Sequence, residues 1–321
     1  MAGEHEQMAD DYEQIRIHVR GSDSLLKYCK SQLGDEWVVH KEPPGGRDVR
    51  VGVAHLHSGT PGILVIAGQH PREHNSVWAA LLLMKRLKTE QSPCLVTIVP
   101  CANPTGFTET FRGDRYKRSN ENGVDLNRNF ETTGWEACLT EGRSGGVGWS
   151  NGATAGSEYE TQLVQELICS GRYKCVLNLH CYGNMLMYPP CKDTIPDAVV
   201  PALAGIAQTI NEKCFGSKMK VMPFCRIYKA HGTTVQYCLE NKVVGFCIEA
   251  GCSFEDDAPT VLSTTHALLS AVGVCYASIP DRFDDLAGAS VLSLNSLHKR
   301  LDRERPYRGY MHQLPTTCHV S

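Results

Sequence analysis

The sequence predicts a single-domain α/β protein: a three-layer sandwich with a mixed, mostly parallel sheet of about eight strands and helices on both faces. Short apolar runs recur along the chain, and segments with the spacing of amphipathic helices lie between them. Several of these runs are followed at once by His, Glu or Asn, as expected where strands end at the ligand-binding edge of an open sheet.

The central strands are predicted from four runs that are rich in aliphatic residues and too short for helices: 63–67, 95–100, 175–180 and 243–248. Weaker runs predict further strands at 15–19, 37–40, 49–56 and 219–224. Helices are expected at 24–32, 76–88, 157–169, 198–214 and 259–276. The third of these begins with the S-x-x-E pattern of a capping box, formed by Ser157 and Glu160.

A chain of 321 residues is long enough for one large domain, and the sequence has no internal repeat or clear linker. We assign 15–300 to this domain and expect the polar, acidic residues 1–14 to be disordered. Residues 301–321 form a charged C-terminal tail. The stretch 107–130 is polar and rich in Gly and Asn, so we interpret it as a functional loop.

Composition and charge argue against several classes of protein. The net charge of −3, from 32 basic and 35 acidic residues, gives no electrostatic case for a nucleic acid partner. No apolar run approaches the roughly 18 residues of a membrane span. The polar N-terminus resembles neither a signal peptide nor a transit peptide, so we expect a cytoplasmic protein with no membrane partner.

The 15 cysteines of the chain are scattered, and no two form a CxxC pair. We therefore expect mostly reduced thiols, and a disulfide framework is disfavoured.

Three predicted strand ends carry residues that bind metals or transfer protons. His70 and Glu73 lie three positions apart after the first central strand, His180 ends the third, and Glu249 follows the fourth. Zinc accepts imidazole and carboxylate ligands and, in catalytic sites, keeps a fourth position for water. Cys181 is a rival ligand, but as the next residue along a strand it points to the opposite face. Taken alone, each residue is more readily a core or surface group, so the prediction depends on their combination.

Seven motifs appear in the order found in zinc carboxypeptidases of the carboxypeptidase A type, which the sequence resembles over most of its length. They are HPRE at 70–73, NPTGF at 103–107, GVDLNRNF at 123–130, SEYET at 157–161, LHCYGNMLMYP at 179–189, IYKAHGT at 227–233 and FCIEAG at 246–251. Because seven motifs in register are very specific, the sequence is identified as a member of this family.

The resemblance implies one Zn²⁺ per chain, held by His70, Glu73 and His180. It further implies that Asp125 accepts the proton of the first histidine and fixes its tautomer. Glu249 resembles the general base that takes a proton from the attacking water and returns it to the leaving amine.

The resemblance also assigns residues to the substrate, a peptide or protein C-terminus. Asn127 and Arg128 look like the pair that grips the terminal carboxylate. Arg118 best matches the arginine that stabilises the oxyanion, with Arg115 and Lys117 as rivals.

Three further residues complete the predicted substrate site. Arg72 resembles an additional subsite arginine, although a structural ion pair is an equal possibility. Tyr228 matches the mobile tyrosine that closes over the terminal residue. Val235 falls at the floor of the terminal side-chain pocket, which predicts a preference for neutral, apolar or aromatic C-terminal residues.

The sequence departs from the family pattern in ways that leave the scissile bond open. Tyr159 replaces the usual proline of SEPET, and neither a signal nor a long inhibitory pro-segment is recognised. The loop around 118–130 is closer to compact members, some of which cleave cell-wall or side-chain-linked glutamyl peptides. The same residues are also compatible with an aspartoacylase-like deacylase or with a zinc-binding pseudoenzyme. The sequence does not indicate an oligomeric state.

Overall fold

The computed structural model describes residues 2–136, 150–189, 199–227 and 230–288. The predicted tail at 301–321 lies outside the described residues. Within them, eight strands form one sheet. The strands are β1 Trp37–Lys41, β2 Arg50–Leu56, β3 Gly62–Ile66, β4 Val96–Val99, β5 Tyr173–His180, β6 Met185–Tyr188, β7 Lys220–Pro223 and β8 Val244–Glu249.

The sheet has the strand order β1-β2-β4-β3-β5-β8-β6-β7. Four of the seven neighbouring pairs are parallel, including the central pairs β4–β3, β3–β5 and β5–β8. The other three pairs are antiparallel. The predicted mixed, mostly parallel sheet is therefore confirmed.

The described residues contain eight α-helices and four short 3₁₀ turns. The helices are α1 Ala2–His18, α2 Ser22–Leu33, α3 His74–Leu87, α4 Pro104–Thr110, α5 Tyr159–Cys169, α6 Val200–Cys214, α7 Thr234–Glu240 and α8 Ala258–Ser278. The 3₁₀ turns are Gly34–Glu36, Leu126–Arg128, Phe224–Arg226 and Phe283–Gly288.

The side chains of β3 alternate between two apolar cores, as the pleat of a strand requires. Ile63 and Val65 belong to a core that α1, α2, α3, α6 and α8 complete, whereas Leu64 and Ile66 belong to one that α5 and α7 complete. All four side chains are fully buried. The helices thus cover both faces of the sheet, which confirms the predicted three-layer architecture.

By length and composition alone, one helix of the described residues, α8, could cross a membrane. In the structure 56% of its most apolar 18-residue window is buried, and the helix packs against α3 and α6. Both observations are typical of the core helix of an α/β domain.

The predicted disorder of residues 1–14 and the predicted strand at 15–19 are wrong, because helix α1 covers the first segment and most of the second. Met8, Tyr12 and Ile15, together with Val19 just after the helix, recur at helical spacing and are at most 2% exposed. The helix packs with this face against α3 and α8. Most of the acidic residues that suggested disorder lie on the rest of the helix surface, so the apolar stripe is narrow and easily overlooked.

The predicted capping box at Ser157 does not form. Helix α5 begins at Tyr159, its N-cap is Glu158, and no side chain caps it. The Ser157 hydroxyl instead donates to Glu158 Oε1 at 2.8 Å and accepts from Asn129 Nδ2 at 3.0 Å. Ser157 therefore joins this turn to the loop that carries Asn127 and Arg128.

Helix α1 provides a matched pair of isoleucines for a stability test. Ile15 is fully buried and Ile17 is 51% exposed. We expect Ile15→Ala to lower the free energy of unfolding by about 2–5 kcal/mol, because it leaves a cavity against the core. Ile17→Ala should change it by less than about 0.5 kcal/mol. Urea denaturation of both variants measures the difference, and equal, small effects would show that α1 is not docked in solution.

Candidate metal centre and cleft

The carboxyl ends of three neighbouring parallel strands, β3, β5 and β8, bring the predicted site residues together. His180 is the last residue of β5 and pairs in register with Glu249, the last residue of β8. His70 follows β3 after a turn at Gly68, whose φ is +64°. A Cβ on Gly68 would lie 2.8 Å from Val77 and 3.0 Å from the backbone of Cys101, so this turn requires glycine.

His70, Glu73 and His180 converge on one point. The two carboxylate oxygens of Glu73 lie 2.7 Å from His70 Nδ1 and 2.9 Å from His180 Nδ1. The two Nδ1 atoms are 3.2 Å apart. Each residue offers a ligand atom, these atoms lie within 4.8 Å of one another, and all three side chains are buried.

This donor set fits a zinc ion, because two imidazole nitrogens and a carboxylate are the ligands of a common type of catalytic zinc site. Burial acts to raise the pKa of Glu73, but the charges of His70 and His180 outweigh it and hold that pKa far below its ordinary value. Glu73 is therefore ionised at neutral pH, as a metal ligand must be.

Asp125 contacts two functional groups at once. Its Oδ1 lies 3.0 Å from His70 Nε2, the nitrogen that faces away from Glu73. Its Oδ2 accepts a hydrogen bond of 2.8 Å from Arg118 Nε. Burial acts to raise the pKa of Asp125, but Arg118, His70 and Arg128 together hold it well below the ordinary value. The carboxylate is thus placed to set the tautomer of His70 and the orientation of Arg118.

Glu249 has the opposite electrostatic environment from Glu73. Burial and, to a smaller extent, the charge of the neighbouring Glu73 raise its pKa to about 7, against the opposing charges of His180, Arg118 and Arg128. A carboxylate with a pKa close to neutral exchanges protons readily at neutral pH, which is the property of a general base.

A cleft of about 410 Å³ opens over this cluster. Its floor includes His70, Glu73 and Glu249, and its polar walls include Arg72, Arg118 and Asn127. The remaining walls are mostly apolar and consist of Cys181, Tyr182, Met185, Met187, Phe224, Ile227 and Phe254. The cleft thus has a cluster of charged and polar groups beside an apolar wall, so it can orient the polar part of a ligand and bury the apolar part.

The three candidates for the predicted oxyanion donor, Arg118, Lys117 and Arg115, differ in position. Arg118 lines the cleft. Lys117 lies 2.7 Å from Glu109, and Arg115 donates to the backbone oxygens of Arg72 at 3.0 Å and Phe254 at 2.6 Å. Arg118 is thus the one of these three residues that lines the cleft, where its guanidinium can contact a ligand.

Asn127 and Arg128 lie on the 3₁₀ turn that follows Asp125. Asn127 is 4% exposed, lines the cleft, and has its Nδ2 atom 3.3 Å from His180 Nε2. Arg128 donates from Nη1 to the backbone oxygen of Asn127 at 2.5 Å. It is close enough to lower the pKa of Asp125 and to oppose the rise in that of Glu249.

The remaining predicted substrate residues differ in position. The guanidinium of Arg72 stacks on the ring of Phe254, with 4.4 Å between its Cζ and the ring centroid, and lines the cleft. Val235 is only 1% exposed and does not line the cleft; it packs in a buried cluster with Met187 and Phe224, which do. Tyr228 lies outside the described residues.

Sequence reasoning missed most of the apolar wall. Met185 and Met187 lie on β6, which pairs with β8 so that Met185 is opposite Glu249 and Met187 opposite Cys247. The run MLMY at 185–188 is a signal for this strand, but its antiparallel pairing is not evident from the sequence. Phe254 contacts Arg72 and Tyr182 from a loop without a motif, and only the folded chain identifies it.

Among the described residues most of the thiols are free, as predicted. Eleven of the described cysteines are free, eight of them in buried positions such as Cys101 and Cys247. Cys252 is disulfide-bonded, which the sequence did not predict. Cys181 is buried beside the cluster, but it is not part of the group that converges on the metal position.

Known proteins resemble this chain in sequence and in fold. A family model described as zinc carboxypeptidase matches residues 42–259. Carboxypeptidase A4 of Mus musculus is 28% identical over 214 residues, which cover 57% of this chain and 49% of that protein. The chain thus spans about half the length of the curated relatives it matches.

Two solved structures have a similar fold. Carboxypeptidase A from Helicoverpa armigera aligns with a TM-score of 0.65 and 20% identity, covering 84% of this chain and 73% of that chain. Bovine thrombin-activatable fibrinolysis inhibitor aligns with a TM-score of 0.66 and 17% identity, covering 87% and 96%. At these identities the comparison supports the fold.

The converging ligands predict a metal site that can be measured without any activity assay. We expect His180→Ala to lose bound zinc, because two ligands remain where three converge. His18→Ala, which removes an exposed histidine of α1, should leave the zinc content unchanged. Elemental analysis after dialysis against micromolar zinc measures both. Full zinc content in the His180→Ala variant would show that the metal binds elsewhere.

Proposed function

The chain belongs to the zinc carboxypeptidase family, and we propose that it hydrolyses the C-terminal peptide bond of peptides or proteins with one zinc ion as cofactor. The observation that carries the proposal is the convergence of His70, Glu73 and His180 beside Glu249 at the bottom of a cleft. The family match covers all four of these residues. It also favours a peptidase over an aspartoacylase-like deacylase.

Zinc, when bound, supplies a Lewis acid that polarises the scissile carbonyl and acidifies a water molecule. His70, Glu73 and His180 would hold it, and Asp125, 3.0 Å from His70 Nε2, would keep His70 in the tautomer whose Nδ1 carries no proton. Glu249 accepts a proton from the attacking water as the new C–O bond forms. The same carboxyl group then donates that proton to the leaving amine as the C–N bond breaks.

In this proposal, Arg118, Asn127 and Arg72, which line the cleft, and Arg128, which follows Asn127 and does not line it, have separate roles. Arg118 donates to the oxyanion that develops on the scissile carbonyl, and Asp125 holds the guanidinium in place. Asn127 and Arg128 bind the terminal carboxylate of the substrate, which restricts cleavage to the last peptide bond. Arg72, stacked on Phe254, lies on another wall of the cleft and contacts residues that precede the scissile bond.

We propose that the enzyme prefers apolar or aromatic C-terminal residues. The walls available to the terminal side chain include Met187, Phe224 and Ile227, and none of these carries a charge. Val235 supports this wall from behind, because it packs with Met187 and Phe224 while remaining buried itself. Methionine side chains adapt to ligands of different shape, which favours a broad apolar preference over selection of one residue.

The proposal is tested by incubating the protein with a library of peptides that differ in their last residue. We expect single C-terminal residues to be released, fastest for Phe, Leu and Met, and a chelator to abolish the release.

Glu249→Gln should lower kcat by about 100- to 10,000-fold while zinc content stays unchanged, because only the proton acceptor is lost. Glu255→Gln, in the exposed loop after β8, is the matched control and should behave as wild type. Turnover that persists in the Glu249→Gln variant would remove Glu249 from the role of base.

The pH dependence of the wild-type enzyme provides a second test of this role. Glu249 must be ionised to accept a proton, and its pKa is raised to about 7 from an ordinary value of 4.5. A bound divalent cation favours the ionised form and lowers this pKa, so we expect kcat/KM to fall as the pH decreases through a value between 4.5 and 7. A profile that stays flat down to pH 4.5 would contradict the assignment.

A further inference from the structure

A series of buried polar side chains leads from the interior of the sheet to Asn127. It consists of Asn178 on β5, Gln69 after β3 and Thr234 at the start of α7, each at most 1% exposed. Asn127 itself is 4% exposed. Burying amides and hydroxyls is costly unless they are hydrogen-bonded, so these groups constrain one another's orientation.

The hydrogen bonds of this series run in one direction. Asn178 Nδ2 donates to Gln69 Oε1 at 2.9 Å, and Gln69 Nε2 donates to Thr234 Oγ1 at 2.9 Å. The Thr234 hydroxyl has a single proton, and both Gln69 Oε1 and Asn127 Oδ1 lie 3.1 Å from its oxygen. Gln69 Oε1 already accepts from Asn178, and Gln69 Nε2 already donates to the Thr234 hydroxyl. A consistent set of bonds results when the Thr234 hydroxyl donates its proton to Asn127 Oδ1.

These bonds fix which end of the Asn127 amide faces the cleft. Asn127 Oδ1 accepts from the Thr234 backbone N–H at 2.9 Å and from the Thr234 hydroxyl at 3.1 Å. With the oxygen held by α7, the Nδ2 group is turned towards His180 and the cleft. A carboxylate is an acceptor only, so it is bound by an amide in this orientation and repelled by the reverse one.

We propose that Thr234 is a positioning residue for carboxylate recognition: its hydroxyl, oriented by Gln69, holds Asn127 with its N–H donors towards the terminal carboxylate of the substrate. This inference rests on the proposed function, because it takes the ligand to be a peptide with a free C-terminus. It adds a specificity-determining role for a residue that does not itself line the cleft.

The test uses binding, so that it does not depend on turnover. Zinc-loaded protein carrying Glu249→Gln is titrated calorimetrically with an N-acylated dipeptide ending in phenylalanine, as the free acid and as the carboxamide. The ratio of the two Kd values measures the recognition of the carboxylate. Thr234→Val has nearly the same shape but lacks the hydroxyl, whereas Thr234→Ser retains it.

We expect Thr234→Val to reduce the preference for the free acid by about fivefold, the effect of one neutral hydrogen bond. Thr234→Ser should keep the preference of the parent. Thr265→Val is the stability control, because Thr265 is another fully buried threonine whose hydroxyl donates to the helix backbone of α8 at 2.8 Å. It should leave the ratio unchanged. Zinc content should be equal in all variants.

Three results would overturn the inference: an unchanged ratio in Thr234→Val, an equal loss in Thr234→Ser, or a parent that binds acid and carboxamide equally. Failure of the proposed function has a different signature, since wild-type protein would then bind the peptide acid without releasing its terminal residue. A loss of stability alone would appear as weaker binding of both peptides, with their ratio preserved.

Discussion

Glu73, a carboxylate buried between two imidazoles, is the interaction on which the rest of the site depends. Each of its oxygens lies within 3 Å of a different histidine nitrogen, and Oε2 also accepts from the backbone N–H of Cys181 at 3.1 Å. One side chain thus joins the turn after β3 to the end of β5. Because the negative charge is balanced by its two neighbours, it is held in the interior in the ionised form that a cation needs.

The sheet determines which residues can share this centre. His180 and Glu249 are adjacent because β5 and β8 are parallel and in register, so their carboxyl ends coincide. The antiparallel strand β6 then enters from the same edge and places Met185 opposite Glu249. One pattern of strand pairing therefore places the polar site residues at the ends of β5 and β8 and the apolar wall on the neighbouring strand β6.

The sequence predicted what short-range patterns encode. The apolar runs identified the central strands, and the polar residues after them identified His70, Glu73, His180 and Glu249 as a group that the structure brings together. Three features depend on contacts between distant segments and were missed or wrong. Helix α1 is ordered by packing on α3 and α8, Val235 lies behind the cleft wall, and Phe254 is placed there by Arg115. No local pattern marks the positions of Val235 and Phe254, and the helical spacing of the apolar residues in α1 is present but confined to a narrow stripe.

Two of the hydrogen bonds of Asp125, those with His70 and Arg118, have a consequence for how this site can change over time. One carboxylate contacts both His70 and Arg118, so the orientation of the predicted metal ligand and that of the cleft arginine depend on the same side chain. A substitution at this position therefore acts on both residues together. Asp125 therefore limits how far this site can diverge, because no change at that residue repositions one of its two partners alone.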